Sequence, residues 1–149
     1  MRRLRSYLAE ASLHAERLKE VLSRLSYLLP MAEEKLLELS PPEKDMLDVL
    51  AFRFSKLQDL LGSKIFREFL ESQGFITEGK SFLEILREVE REGIIDVDTW
   101  SEFRKVSNLI AHEYPLTVSE RVEAINYLVE KVPVLLEVLK RIEAKAGRK

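Results

Sequence analysis

Apolar residues recur at intervals of three and four along nearly the whole chain, the spacing of an amphipathic helix. Leu4, Leu8, Ala11, Ala15, Leu18, Leu22, Leu25 and Leu28 predict a first helix over about 2–28. Pro30 should break it, and MAEEKLLEL adds about two further turns. Ser40-Pro41-Pro42-Glu43 then reads as a helix start, with a serine cap, proline in the first turn and a glutamate three residues after the cap. Met46, Leu47, Leu50, Phe54, Leu57, Leu60, Leu61, Ile65, Phe69 and Leu70 carry the stripe on to about Gln73, with a bend expected at Gly62-Ser63.

Gly74 and Gly79 bracket a loop, and Ser81 with Glu84 opens a short helix that Gly93 ends. Asp98 is the expected cap of the next helix, whose inward positions are Trp100, Phe103, Val106, Leu109 and Ile110. Thr117 with Glu120 forms a third capping pair and begins the last helix. Its inner stripe runs from Val122 through Leu128, Val132, Leu135 and Leu139 to Ile142, and Pro133 is expected to kink it. Strand-like alternation and hairpin signals are absent from the sequence. The pattern therefore predicts an all-α chain, an antiparallel up-and-down four-helix bundle with extra short helices, in a single domain over residues 1–149.

Composition narrows the chemistry. With 46% hydrophobic and 34% charged residues and only five glycines, the chain fits a helical globular protein better than a disordered one. A net charge of −2 supplies no global field for nucleic acid, so any such binding needs a local basic patch. The lack of cysteine removes disulfides, thiolate zinc sites and thiol nucleophiles, and fits the reducing cytoplasm expected as the location. No apolar run reaches a membrane span, and two isolated histidines, His14 and His112, predict no metal site and no cofactor. His14 lies at the edge of the first apolar stripe, and Asp48, Arg53, Lys56 and Asp59 flank the seam of the long helix as solvated charges.

One stretch, Arg104 to Pro115 (RKVSNLIAHEYP), gathers polar chemistry within a helical frame. Arg104, Asn108 and His112 follow at steps of four, which places them on one slanting stripe about 12 Å long. Tyr114 and Pro115 close the helix, because a residue before proline is pushed out of the helical region. A guanidinium, an amide, an imidazole and a phenol on one face can handle protons or phosphate. They can equally be a polar seam satisfied by neighbouring helices.

Asn108, His112 and Tyr114 in NLIAHEY resemble the signature of the HEPN family, Arg-x4-His, often written Arg-Asn-x3-His-x-Tyr. The Phe54-Ser55-Lys56-Leu57-Gln58-Asp59 run and the placement of the motif before a final helix are similar to HepT-like members. The chain departs from the pattern at one position: Ser107 stands where the family has its arginine. The resemblance implies a helical bundle acting as a homodimer, with motif helices of two subunits facing one cleft. It also implies a toxin of a toxin–antitoxin pair, a metal-independent endoribonuclease neutralised by a nucleotidyltransferase antitoxin. In several such pairs the partner adenylylates the motif tyrosine, here Tyr114. Similar bundles have also been described as non-catalytic, substrate-binding partner subunits of nucleotidyltransferases.

The chemistry of RNA cleavage suits these residues in part. Attack by the 2′-hydroxyl needs proton transfer, for which His112 is suited, and a cation for the charge on the phosphate. Ser107 cannot supply that cation, and Arg104, one turn earlier, is the expected substitute. Trp100 and Phe103 are expected to serve an isologous dimer contact, and position 107 is expected to line a wet cleft that tolerates arginine.

Overall fold

The computed structural model describes residues 2–111 and 115–147; Met1, His112, Glu113, Tyr114, Arg148 and Lys149 lie outside the described residues. Helix α1 (Arg2–Leu25) ends in a short 3-10 turn, Ser26–Leu28, and is followed by the single-turn α2 (Glu33–Leu37). Helix α3 (Pro41–Leu60) continues through a π-helical segment, Leu61–Ile65, into α4 (Phe66–Ser72). Then come α5 (Phe82–Arg91), α6 (Val97–Ala111) and α7 (Val118–Ala146). No strand occurs among the described residues, and no described helix is long and apolar enough to cross a membrane.

Side-chain pairs fix the directions. Tyr27 meets Glu43, His14 meets Arg53, and Arg3 meets Glu68, so numbering rises along α1 as it falls along α3–α4. Phe54 packs on Phe103 and Phe66 on Trp100, which makes α6 antiparallel to the long helix. Phe103 meets Tyr127 while Arg141 reaches the carbonyls of Gly93 and Ile94, so α7 turns back along α6. The architecture is the expected all-α up-and-down bundle.

Local chemistry explains where helices begin. Ser40, Ser81 and Thr117 each accept a hydrogen bond from the backbone N–H three residues on, and Glu43, Glu84 and Glu120 reciprocate at the caps. Each box satisfies two amide donors that a helix start leaves open. The start of α6 differs from the expectation. Asp96, not Asp98, is the capping side chain: its carboxylate accepts from the N–H and hydroxyl of Thr99, and these bonds hold its pKa below the ordinary aspartate value. Asp98 sits in the first turn, where a negative charge still favours the positive helix end. The α7 helix runs unbroken past Pro133, which faces solvent.

The expected bend at Gly62-Ser63 is a π-helical turn. The Phe66 N–H bonds to the Leu61 carbonyl, five residues back. Trp100 explains why glycine is there: a Cβ on residue 62 would lie 3.3 Å from the indole Nε1, which is tighter than ordinary packing. Trp100, Phe103, Phe54 and Phe66 are all fully buried, with ring centroids 4.7 Å apart for Phe66–Trp100 and 5.9 Å for Trp100–Phe103. This aromatic cluster joins three helices. Trp100 and Phe103 are therefore core residues of the monomer, and the expectation that they serve a dimer contact is overturned by their burial. Trp100→Ala should cost about 3–5 kcal/mol, the usual range for emptying a large buried aromatic site. Urea denaturation of the variant beside wild type measures it.

Candidate functional site on the motif helix

The periodicity of α6 divides its residues sharply. Trp100, Phe103 and Ser107 follow at steps of three and four and are buried, whereas Arg104 and Asn108, rotated away from that stripe, are exposed. The candidate residues thus separate into two groups. Arg104 and Asn108 share the outer face, as their spacing implies. His112 and Tyr114 fall on residues outside those described.

Ser107 is only 2% exposed, and its hydroxyl finds no partner among the described residues. The position where the resemblance places an arginine thus belongs to the core stripe, and the expectation that it lines a wet cleft is not met. A guanidinium built there would have to be buried beside Phe103, with its charge unpaired. The buried hydroxyl itself is a small polar defect in an apolar seam.

Arg104 is held in an unforeseen way. Its guanidinium carbon lies 4.7 Å from the centroid of Phe82, the first residue of α5, in cation–π geometry. Several other arginines spend their donors elsewhere: Arg67 on the carbonyls of Thr77 and Lys80, Arg91 on Glu88, Arg141 on the end of α5. Arg104 makes neither an ion pair nor a hydrogen bond among the described residues.

A second polar cluster lies between α1 and α3. Arg53 Nη1 is 3.0 Å from His14 Nδ1. Arginine can only donate, so Nδ1 accepts and the proton of the neutral ring sits on Nε2, which faces the Glu10 carboxylate at 3.7 Å. Burial, then the Arg53 charge, lowers the His14 pKa, and Glu10 opposes both. His14 is a core-edge residue, as its position in the stripe suggested. Arg53 is not a freely solvated flank; it anchors His14 and also lies 5.4 Å from the Phe52 ring centroid. Thirty-nine residues separate His14 from Arg53, so no local spacing signals the pair.

Two open surface clefts complete the chemistry. One, of about 680 Å³, lies between the 73–81 loop and α5, and its Lys80 and Arg91 are paired with Glu84 and Glu88. The other, of about 690 Å³, runs along α7 beside Pro30 and reaches Tyr127. The Tyr127 hydroxyl is buried and closes no hydrogen bond of good geometry; burial, then the nearby Glu102 carboxylate, raises its pKa. Neither cleft includes Arg104 or Asn108. No group of three potential metal ligands occurs among the described residues. Comparison with protein-family models, with curated proteins and with solved structures finds no match to this chain.

Two outcomes follow from this geometry. Ser107→Ala should leave stability unchanged or raise it slightly, because it removes a buried hydroxyl that has no partner among the described residues. Ser107→Arg should cost on the order of 3–5 kcal/mol, the range for an uncompensated buried charge. Denaturant midpoints of the two variants separate these effects. For His14, the folded pKa lies below the unfolded value of about 6.5, so its neutral form favours the fold at neutral pH. That contribution is lost as pH falls from about 6.5 through the depressed folded pKa. Thermal midpoints of wild type should therefore fall through this window more steeply than those of His14→Gln.

Proposed function

We propose that this chain is a HEPN toxin-type protein: a metal-independent endoribonuclease, active as a homodimer and neutralised by a nucleotidyltransferase antitoxin. The observation that carries the reading is the placement of Arg104 and Asn108, both exposed on one face of α6 and spaced four residues apart, in register with His112 one further step along the sequence. Arg104 then takes the role of the missing motif arginine. Its guanidinium neutralises the charge developing on the phosphate, while the His112 imidazole moves the proton of the 2′-hydroxyl or of the leaving group. Asn108 offers an amide that can orient a phosphate or sugar oxygen.

The homodimer in this proposal cannot use Trp100 and Phe103, which the monomer core already occupies. It has to form through the outer face of α6, where two copies of Arg104 would supply the local positive field that a net charge of −2 withholds. The antitoxin acts in this scheme at Tyr114, by adenylylation of the phenol.

The burial of Ser107 favours a second reading, a non-catalytic partner subunit of a nucleotidyltransferase, since no cation can occupy the motif position. Cleavage of a panel of structured RNAs by the purified protein separates the two. Under the toxin reading, Arg104→Ala should slow cleavage about a hundred- to a thousand-fold, as loss of one charge-stabilising donor commonly does. His112→Ala should cost about as much or more, in the range of general acid–base catalysis. If wild type leaves every RNA intact in chelator-treated buffer, while His112→Ala still binds the nucleotidyltransferase normally, the partner-subunit reading replaces the toxin one.

A further inference from the structure

We infer that Phe82 is the positioning residue of the phosphate-binding cation: its ring holds the Arg104 guanidinium in place and leaves the N–H edges of that group free to grip a phosphodiester. The inference rests on the reading of Arg104 given above and adds a residue from a different helix.

Arginine has a long flexible side chain, and an exposed one samples many rotamers, so fixing it on a substrate carries an entropic cost. In this protein much of that ordering is already present. The guanidinium stands 4.7 Å over the Phe82 ring. Phe82 is itself well fixed: it is the first residue of α5, directly after the Ser81 cap, and its half-buried side chain packs against the main core. The Ser81–Glu84 box holds the backbone on which that ring is mounted.

The geometry of stacking decides what stays available. A guanidinium offers its flat face to an aromatic ring and its five N–H bonds around the edge, in the plane. With its central carbon 4.7 Å from the ring centroid, the guanidinium is close enough to stack on Phe82 through its face, an arrangement that leaves the edge open, and no carboxylate or carbonyl among the described residues takes that edge up. An edge of that kind matches two oxygens of one phosphate in a bidentate pair. The chemistry selected is thus an anionic, planar-recognised group such as a phosphodiester of RNA. Phe82 does not touch it; Phe82 orients the group that does.

The test uses the full chain and an RNA oligonucleotide with 2′-O-methyl groups throughout, which binds but has no hydroxyl with which to cleave itself. Phe82→Leu should weaken its binding about two- to five-fold, the size of an exposed cation–π contact. Phe82→Tyr should restore wild-type affinity, since the ring is kept. Phe82→Leu added to Arg104→Ala should weaken binding no further than Arg104→Ala alone. A merely structural role for Phe82 predicts the opposite, with equal losses in both backgrounds, and that result overturns the inference. So does unchanged affinity in Phe82→Leu.

A second readout needs no RNA. In the wild-type protein the Arg104 Nε–H proton should resonate upfield of an exposed arginine because of the ring current, and Phe82→Leu should move it back. If that shift is missing while Arg104→Ala still impairs cleavage, the positioning role falls and the proposed function stands. If the shift is present but Arg104→Ala binds and cleaves RNA as wild type does, both the role and the function assigned to Arg104 fall.

Discussion

Trp100 against Gly62 is the contact on which the bundle depends. The indole is fully buried where α6 meets the α3–α4 helix, and it approaches the backbone closely: a Cβ opposite it would lie 3.3 Å from the indole Nε1, tighter than ordinary packing. The π-helical turn at Leu61–Ile65 sits at this crossing. Such a turn re-phases the helix, so that Phe66, Phe69 and Leu70 keep facing the core beyond it. Phe66, Phe54, Phe103 and Tyr127 extend the cluster into α4, α3 and α7. A single interlocked aromatic group therefore sets the rotation of α6 about its own axis.

That rotation decides which residues of α6 meet solvent. With Trp100 and Phe103 inward, Ser107 must follow them, because it lies on the same three-and-four spacing. Arg104 and Asn108 are turned out by the same constraint. Arg104 comes to rest on α5, whose position is fixed from the other end by α7: Arg141 donates to the Gly93 and Ile94 carbonyls, and Lys145 to that of Glu92. These bonds satisfy carbonyls that the end of α5 leaves open. The polar face of the motif helix is thus supported by capping interactions well away from it.

The sequence carried the architecture because the dominant signals are local. Helix existence followed from apolar spacing, and the boundaries at Ser40, Ser81 and Thr117 followed from capping boxes whose two partners lie three residues apart. Asp96 and Asp98, two residues apart, are both plausible caps for α6 by composition, and only the Thr99 bonds distinguish them. Contacts between distant residues left no such trace. Arg53 on His14, Arg104 on Phe82, and the two bonds between Asn126 and the Met31 backbone all depend on how helices pair, which periodicity alone does not specify. The candidate site was legible as a stripe, Arg104 and Asn108, but not as a supported structure.

The burial of Ser107 is readable in principle, since it extends the Trp100–Phe103 spacing by one step of four, whereas the family pattern alone puts that position in a cleft. Under the proposed function, core packing and phosphate chemistry would make incompatible demands on that one residue. A phenyl ring and a large indole, one and two turns earlier, draw the helix face inward, and a small side chain is what the seam at 107 accommodates. A cation serving the outer face must then come from a residue rotated out of the seam. Residue 104 is about 60° away from 107 around the helix, enough to leave the core while staying on the same surface as Asn108. An arginine at 104 has a long, free reach, and on the neighbouring helix the Phe82 ring centroid lies 4.7 Å from its guanidinium carbon.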